Sequence, residues 1–134
     1  MPVFVFGNRS IAHQIEFAPF SHDLLLLQSS RHNLDFWRPV MDNLKENPPS
    51  SGRVVVCDWF EKGASETKMA EDLNQLIKTI GLHSLHVVAC GDAVDIIGEI
   101  EKANPGRFEN TLFYPQTIPR VEDLSRSIRE FSQI

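Results

Sequence analysis

The sequence predicts an α/β fold: a three-layer sandwich whose mostly parallel sheet of about six strands is preceded by an antiparallel hairpin. Three observations lead there. Asp23–Leu27, Arg53–Asp58 and Leu85–Cys90 are short, nearly continuous apolar runs, as strands covered on both faces require. Between them stand segments whose apolar residues recur at spacings of three and four, which places them on one helical face. The two patterns alternate along the chain, and alternation of this kind builds βαβ units with helices on both faces of a sheet. At 134 residues the chain is expected to form a single domain, 1–134, able to bury roughly two-thirds of its unfolded surface.

Taken in order, Val3–Phe6 is an apolar run that stops at the turn dipeptide Gly7-Asn8, and His13–Phe17 alternates polar and apolar residues. Together they read as the hairpin. After the strand Asp23–Leu27 comes a polar loop, 28–33, and then Phe36, Trp37, Val40, Met41 and Leu44 on one helical face. Pro39 falls in the first turn of that helix, where its missing N–H costs little. The stretch Pro48-Pro49-Ser50-Ser51-Gly52 ends it. A second helix spans Glu66–Ile80 with Gly81 as its stop. A third spans Ala93–Ala103 and closes at Asn104-Pro105-Gly106. Thr111–Tyr114 is the last strand and Val121–Phe131 the last helix. In sheets of this type ligands bind outside the carboxyl ends of the strands. That directs attention to loops 28–33, 58–65, 90–93 and 115–119.

Composition narrows the function classes. The net charge of −5, from 13 basic and 18 acidic side chains, argues against nucleic acid or an anionic membrane as the main partner. The apolar run Leu24–Leu27 is far too short to span a bilayer, and no basic segment precedes Met1–Phe6 as a signal peptide would need. Two cysteines, Cys57 and Cys90, do not make a disulfide framework, and a reduced cytoplasmic setting suits them. His83 and His86 stand three apart, but without a cysteine or carboxylate at ligand spacing no metal is expected. No cofactor is expected either.

Four segments, in order, resemble the first half of an α/β-hydrolase. Leu24–Trp37 (LLLLQSSRHNLDFW) is similar to the strand and oxyanion loop that usually reads L-L-x-H-G. Asp58–Ser65 (DWFEKGAS) resembles the D-x-x-G-x-G-x-S loop, with Glu61 in place of the first glycine. Met69–Cys90 is similar to the helix and strand that lead to the nucleophile. Ala103–Leu112 (ANPGRFENTL) resembles the segment after the elbow helix. The resemblance implies a truncated, degenerate member of that superfamily, lacking the C-terminal part of the fold.

The family's nucleophile stands in a G-x-S-x-G turn between a strand and a helix. Laid along Val88–Val94, that template puts Ala89 and Ala93 at the small flanking positions and Gly91 at the nucleophile. Registers centred on Cys90 or Asp92 put Val88 or Val94 at a crowded flank. At the oxyanion loop Gln28-Ser29 replaces His-Gly. All five histidines precede the elbow, whereas the family's acid and histidine follow it. No Ser-His-Asp arrangement is visible.

The resemblance therefore implies a protein without hydrolase chemistry. We expect a small-ligand-binding or protein-interaction module whose cleft is formed by Gln28, Ser29, Asp58, Trp59, Cys90, Gly91 and Asp92. A homodimer through the exposed sheet edge or the C-terminal helix is the expected assembly. The alternative is a weak esterase or thioesterase using Cys90 with Asp92 and His32, or one whose triad is completed by another chain. On the plain reading Cys90 is a buried hydrophobe ending a strand, Asp92 caps a helix, and His32 is a solvated loop residue.

Overall fold

The computed structural model describes residues 3–6, 9–16, 23–46, 53–81, 85–116 and 118–131. Its strands are β1 (Val3–Phe6), β2 (Arg9–Glu16), β3 (Asp23–Leu27), β4 (Arg53–Cys57), β5 (Leu85–Cys90) and β6 (Asn110–Tyr114). Its helices are α1 (Arg38–Glu46), α2 (Glu66–Ile80), α3 (Ala93–Ala103) and α4 (Val121–Phe131). They form one sheet in the order β1-β2-β4-β3-β5-β6. β4, β3, β5 and β6 run parallel, and β2 is antiparallel to both β1 and β4. The strand expected over His13–Phe17 begins earlier, at Arg9; Phe17 and the turn at Gly7-Asn8 lie outside the described residues.

Register explains how the core divides. Leu24 pairs with Val54 and His86, and Leu25 with Val55 and Val87. Alternate residues of the parallel strands therefore line opposite faces. Leu25, Leu27, Val55, Cys57, Leu85, Val87 and Ala89 pack beneath α2 and α3. Leu24, Leu26, Val54, Val56, Val88 and Cys90 pack beneath α1 and α4. This is the three-layer arrangement the apolar runs predict.

The helices start and stop where local chemistry dictates. At the start of α2, the Ser65 side chain accepts from the Lys68 N–H at 3.1 Å. At its end Gly81 takes a left-handed conformation, φ 79°, and donates back to the carbonyls of Ile77 and Lys78. The helix expected around Phe36–Leu44 is divided. Leu34–Trp37 forms a 3₁₀ turn capped by Asn33, whose side chain accepts from the Asp35 N–H at 2.9 Å, and α1 begins at Arg38. Pro39 then sits in the first turn of the α-helix proper.

The topology also fixes where a site belongs. From β3 the chain passes through α1 to β4 on one side, then through α2 to β5 on the other side of β3. The direction of winding reverses at β3, and in sheets of this type the place to look for a site is therefore the carboxyl ends of β3, β4 and β5.

Candidate functional site at the carboxyl ends of the strands

Gln28, immediately after β3, ties this end of the sheet together. Its side-chain amide donates to the Cys57 carbonyl at 2.9 Å, and its side-chain oxygen accepts from the Trp37 indole at 3.0 Å. The Trp59 indole donates to the Gln28 backbone carbonyl at 2.8 Å. The Asp58 carboxylate lies 3.5 Å from the same amide nitrogen. Gln28, Trp37 and Trp59 are all buried. A buried primary amide must satisfy both its donor and its acceptor face, and Gln28 does so with the end of β4 and the 3₁₀ turn that precedes α1. Gln28 and Trp59, expected to line a cleft, are buried, the Gln28 side chain held by Cys57 and Trp37 and the Trp59 indole by the Gln28 backbone; Asp58 is half-buried beside them.

Ser29 and Gly91 meet one step further out. Gly91 follows β5 with φ +58°, and its N–H donates to the Tyr114 carbonyl at 2.9 Å. A Cβ placed on Gly91 would stand 2.6 Å from the Cβ of Ser29. Both facts demand glycine: the left-handed backbone penalises a Cβ, and the neighbouring strand end leaves no room for one. Ser29 is itself buried, with its hydroxyl 3.0 Å from Nδ1 of His32.

Asp92 does not cap α3, contrary to its plain sequence reading. It stands at the capping position with φ −71° and ψ −8°, in helical rather than extended backbone, and makes no capping hydrogen bond. Its carboxylate reaches across the sheet instead. It accepts from the Ser30 backbone N–H at 2.7 Å and from the Ser30 hydroxyl. The loop after β3 is thus clamped to the turn after β5 by two hydrogen bonds to one charged acceptor.

Cys90 is fully buried at the end of β5, packed in the α1–α4 core, and burial pushes its thiol up to about 11. Only the thiolate is a nucleophile, and at neutral pH a thiol of that acidity supplies almost none. His32 is exposed and stacks on Phe36 with ring centroids 4.7 Å apart. Arg31, His32, Asn33 and Phe36 line an open recess of about 350 Å³. His86 sits near the amino end of β5, with Nδ1 3.2 Å from the Asn110 side-chain nitrogen. His22 and His83 lie outside the described residues. Among the described residues no group of three or more His, Cys, Asp or Glu is placed to hold a metal ion, and no helix is long and apolar enough to cross a membrane.

The structure thus joins Ser29 to Gly91, Gln28 to Trp59 and Asp58, and His32 to Ser29. Ser30 is the residue the sequence reading missed. It lies in a loop already of interest, but nothing in the sequence connects it to a side chain 62 positions away.

Solved structures with the same arrangement settle the fold. One is the enzyme AqDC, described for recognition and ring-cleavage of the Pseudomonas quinolone signal, with a TM-score of 0.71 at 15% identity over 84% of this chain and 45% of that one. A second is an α/β-hydrolase enzyme from a Medee basin deep-sea metagenome library, with a TM-score of 0.70 at 16% identity over 84% and 43%. This is the α/β-hydrolase fold. A probable hydrolytic enzyme from Pseudomonas aeruginosa also matches, with a TM-score of 0.66 at 17% identity over 84% of this chain and 39% of its own. The chain spans less than half the length of each of these three proteins. No protein-family model and no curated protein matches the sequence.

Proposed function

We propose that this chain is a non-catalytic α/β-hydrolase-fold protein that acts by binding rather than by acyl transfer. The observation that carries the reading is Gly91. In this fold the nucleophile stands on the sharp turn between a strand and the following helix. Here that turn joins β5 to α3, its residue of positive φ is Gly91, and the space for a side chain is taken by Ser29.

Two further features support it. The fold's oxyanion hole uses the N–H of the residue after the nucleophile together with an N–H from the loop after β3. In this chain the Ser30 N–H from that loop is already hydrogen-bonded to the Asp92 carboxylate. An anionic acceptor held there competes with any developing oxyanion. The runner-up, a Cys90 esterase or thioesterase, needs an accessible thiolate, and burial works against both accessibility and ionisation. A small ligand would meet the exposed surface of this end, where Arg31, His32 and Phe36 offer a cation, an imidazole and an aromatic face.

The test is covalent. Incubation with a fluorophosphonate and, separately, with iodoacetamide at neutral pH should leave the intact mass unchanged over times that label an activated serine or cysteine. A stoichiometric adduct on a residue of loops 28–33 or 90–93 would overturn the proposal.

A further inference from the structure

Helices α2 and α3 pack side by side on one face of the sheet, and where the small side chains Ala70 and Ala103 stand, a cavity of about 260 Å³ remains between them. Ile100 completes its apolar lining. One buried polar group is built into the wall. Asn74 on α2 lines the cavity and is only 8% exposed. Arg107, in the turn after α3, donates from Nε to the Asn74 side-chain oxygen at 3.1 Å. A guanidinium can only donate, so the amide oxygen faces Arg107 and the amide nitrogen faces away from it. Arg107 does not line the cavity, which leaves the nitrogen as the Asn74 atom turned toward that space. Among the described residues none accepts from it. A buried donor is costly to leave unpaired, and the bond from Arg107 polarises the amide and strengthens it as a donor. The other carboxamide of the lining, Asn104, is turned to the Ile100 carbonyl at 3.5 Å.

We propose that this cavity binds a small, neutral, mainly apolar carbonyl compound whose oxygen accepts from the Asn74 amide. The alanine and isoleucine walls favour an apolar body, and the amide nitrogen specifies an acceptor on it. Charge at the mouth selects against an anion. Glu71 and Glu99 both border the cavity; Lys102 is paired with Glu99 at 3.4 Å, whereas Glu71 has no ion-pair partner among the described residues. A carboxylate entering here meets the Glu71 charge at close range. A hydrocarbon of the same shape leaves the Asn74 donor unsatisfied, and a site built around a buried polar group discriminates against such a ligand. Neither Gly91 nor any residue of loop 28–33 lines the cavity, so this inference does not rest on the reading of the strand ends.

Nitrogen–proton correlation spectra of the full 134-residue chain test the proposal with acetophenone, benzoate and ethylbenzene, probes of similar shape that differ in acceptor and charge. Acetophenone should shift the Asn74 side-chain amide pair and the backbone amides of Ala70 and Ile100, saturating in the low millimolar range. Benzoate and ethylbenzene should bind at least about tenfold more weakly. Asn74→Asp replaces the donor with an acceptor yet keeps a partner for Arg107, so it should fold and weaken acetophenone binding at least about tenfold. If Asn74→Asp does not fold, Ala103→Phe serves in its place: that position is exposed and borders the cavity, and the phenyl ring should fill it and abolish binding. The proposal is overturned if acetophenone does not bind, or if either other probe matches it. Shifts confined to loops 28–33 and 90–93, or binding indifferent to the folded variant, overturn it as well. Each of these outcomes leaves the covalent-labelling test of the non-catalytic reading untouched, so the two can fail separately.

Discussion

Restoring serine at position 91 should damage the protein, and a second substitution should repair it. Gly91→Ser brings two penalties. The residue holds φ +58°, and a left-handed backbone costs a residue with a Cβ about 1–2 kcal/mol. The new Cβ would also stand 2.6 Å from the Cβ of Ser29, where carbon atoms ordinarily rest about 3.5–4.0 Å apart. Ser29 is 3% exposed at the end of β3 and cannot move freely, so the overlap adds a further overpacking cost of about 1–3 kcal/mol. The sum is about 2–5 kcal/mol. Ser29→Gly alone should cost about 1 kcal/mol, from the lost contact with His32 and the freer unfolded chain.

In the double variant the overlapping atom is gone. Ser29→Gly combined with Gly91→Ser should therefore be more stable than the two single effects imply, by about 1–3 kcal/mol. Urea unfolding followed by tryptophan fluorescence measures all four corners of the cycle, since Trp37 and Trp59 are buried beside this junction. Additivity to within about 0.5 kcal/mol would refute the steric argument. It would mean that residues 29 and 91 do not compete for the same space.

Three other outcomes follow from the same geometry. Gln28→Ala should destabilise the fold by about 2–4 kcal/mol in equilibrium unfolding, because it opens a cavity and strands the Trp37 indole N–H and the Cys57 carbonyl; a loss under 1 kcal/mol would contradict the network. Asp92→Ala should cost only about 0.5–1.5 kcal/mol, since Asp92 is exposed, but should speed hydrogen exchange at the Ser30 amide; unchanged exchange would show that the clamp does not hold. Cys90 has its folded pKa raised from about 9 to about 11, so the folded state keeps the thiol proton that the unfolded state releases. The associated stability is fully present below pH 9 and is lost as pH rises toward 11, by up to about 3 kcal/mol. Cys90→Ala should flatten that part of the stability–pH profile, and an equally steep profile would contradict the assignment.

Much of this was legible in the sequence because it rests on local patterns. The runs Asp23–Leu27 and Leu85–Cys90, the three-and-four spacing in α2 and α3, and the stop at Gly81 each act over a few residues. Gly91 could be placed by its small neighbours Ala89 and Ala93 and by the need for a tight turn. What escaped depends on separation in sequence. The Gln28 network joins residues 9, 29 and 31 positions apart, and polarity alone suggested a loop facing a cleft. Asp92 looked like a helix cap because aspartate commonly caps; only the approach of β3 to β5 gives its carboxylate a better partner in Ser30. Amphipathicity announced α4 as a helix, but not that its apolar stripe goes to the α1 side.

The most direct test of the central claim is turnover of a panel of p-nitrophenyl esters and acyl-thioesters by the wild-type chain, with Cys90→Ala measured alongside. The account predicts rates equal to buffer for both proteins. Turnover above buffer that Cys90→Ala abolishes would contradict it and make the buried thiol a nucleophile. Turnover that survives Cys90→Ala would contradict it equally and place a working nucleophile elsewhere in the chain.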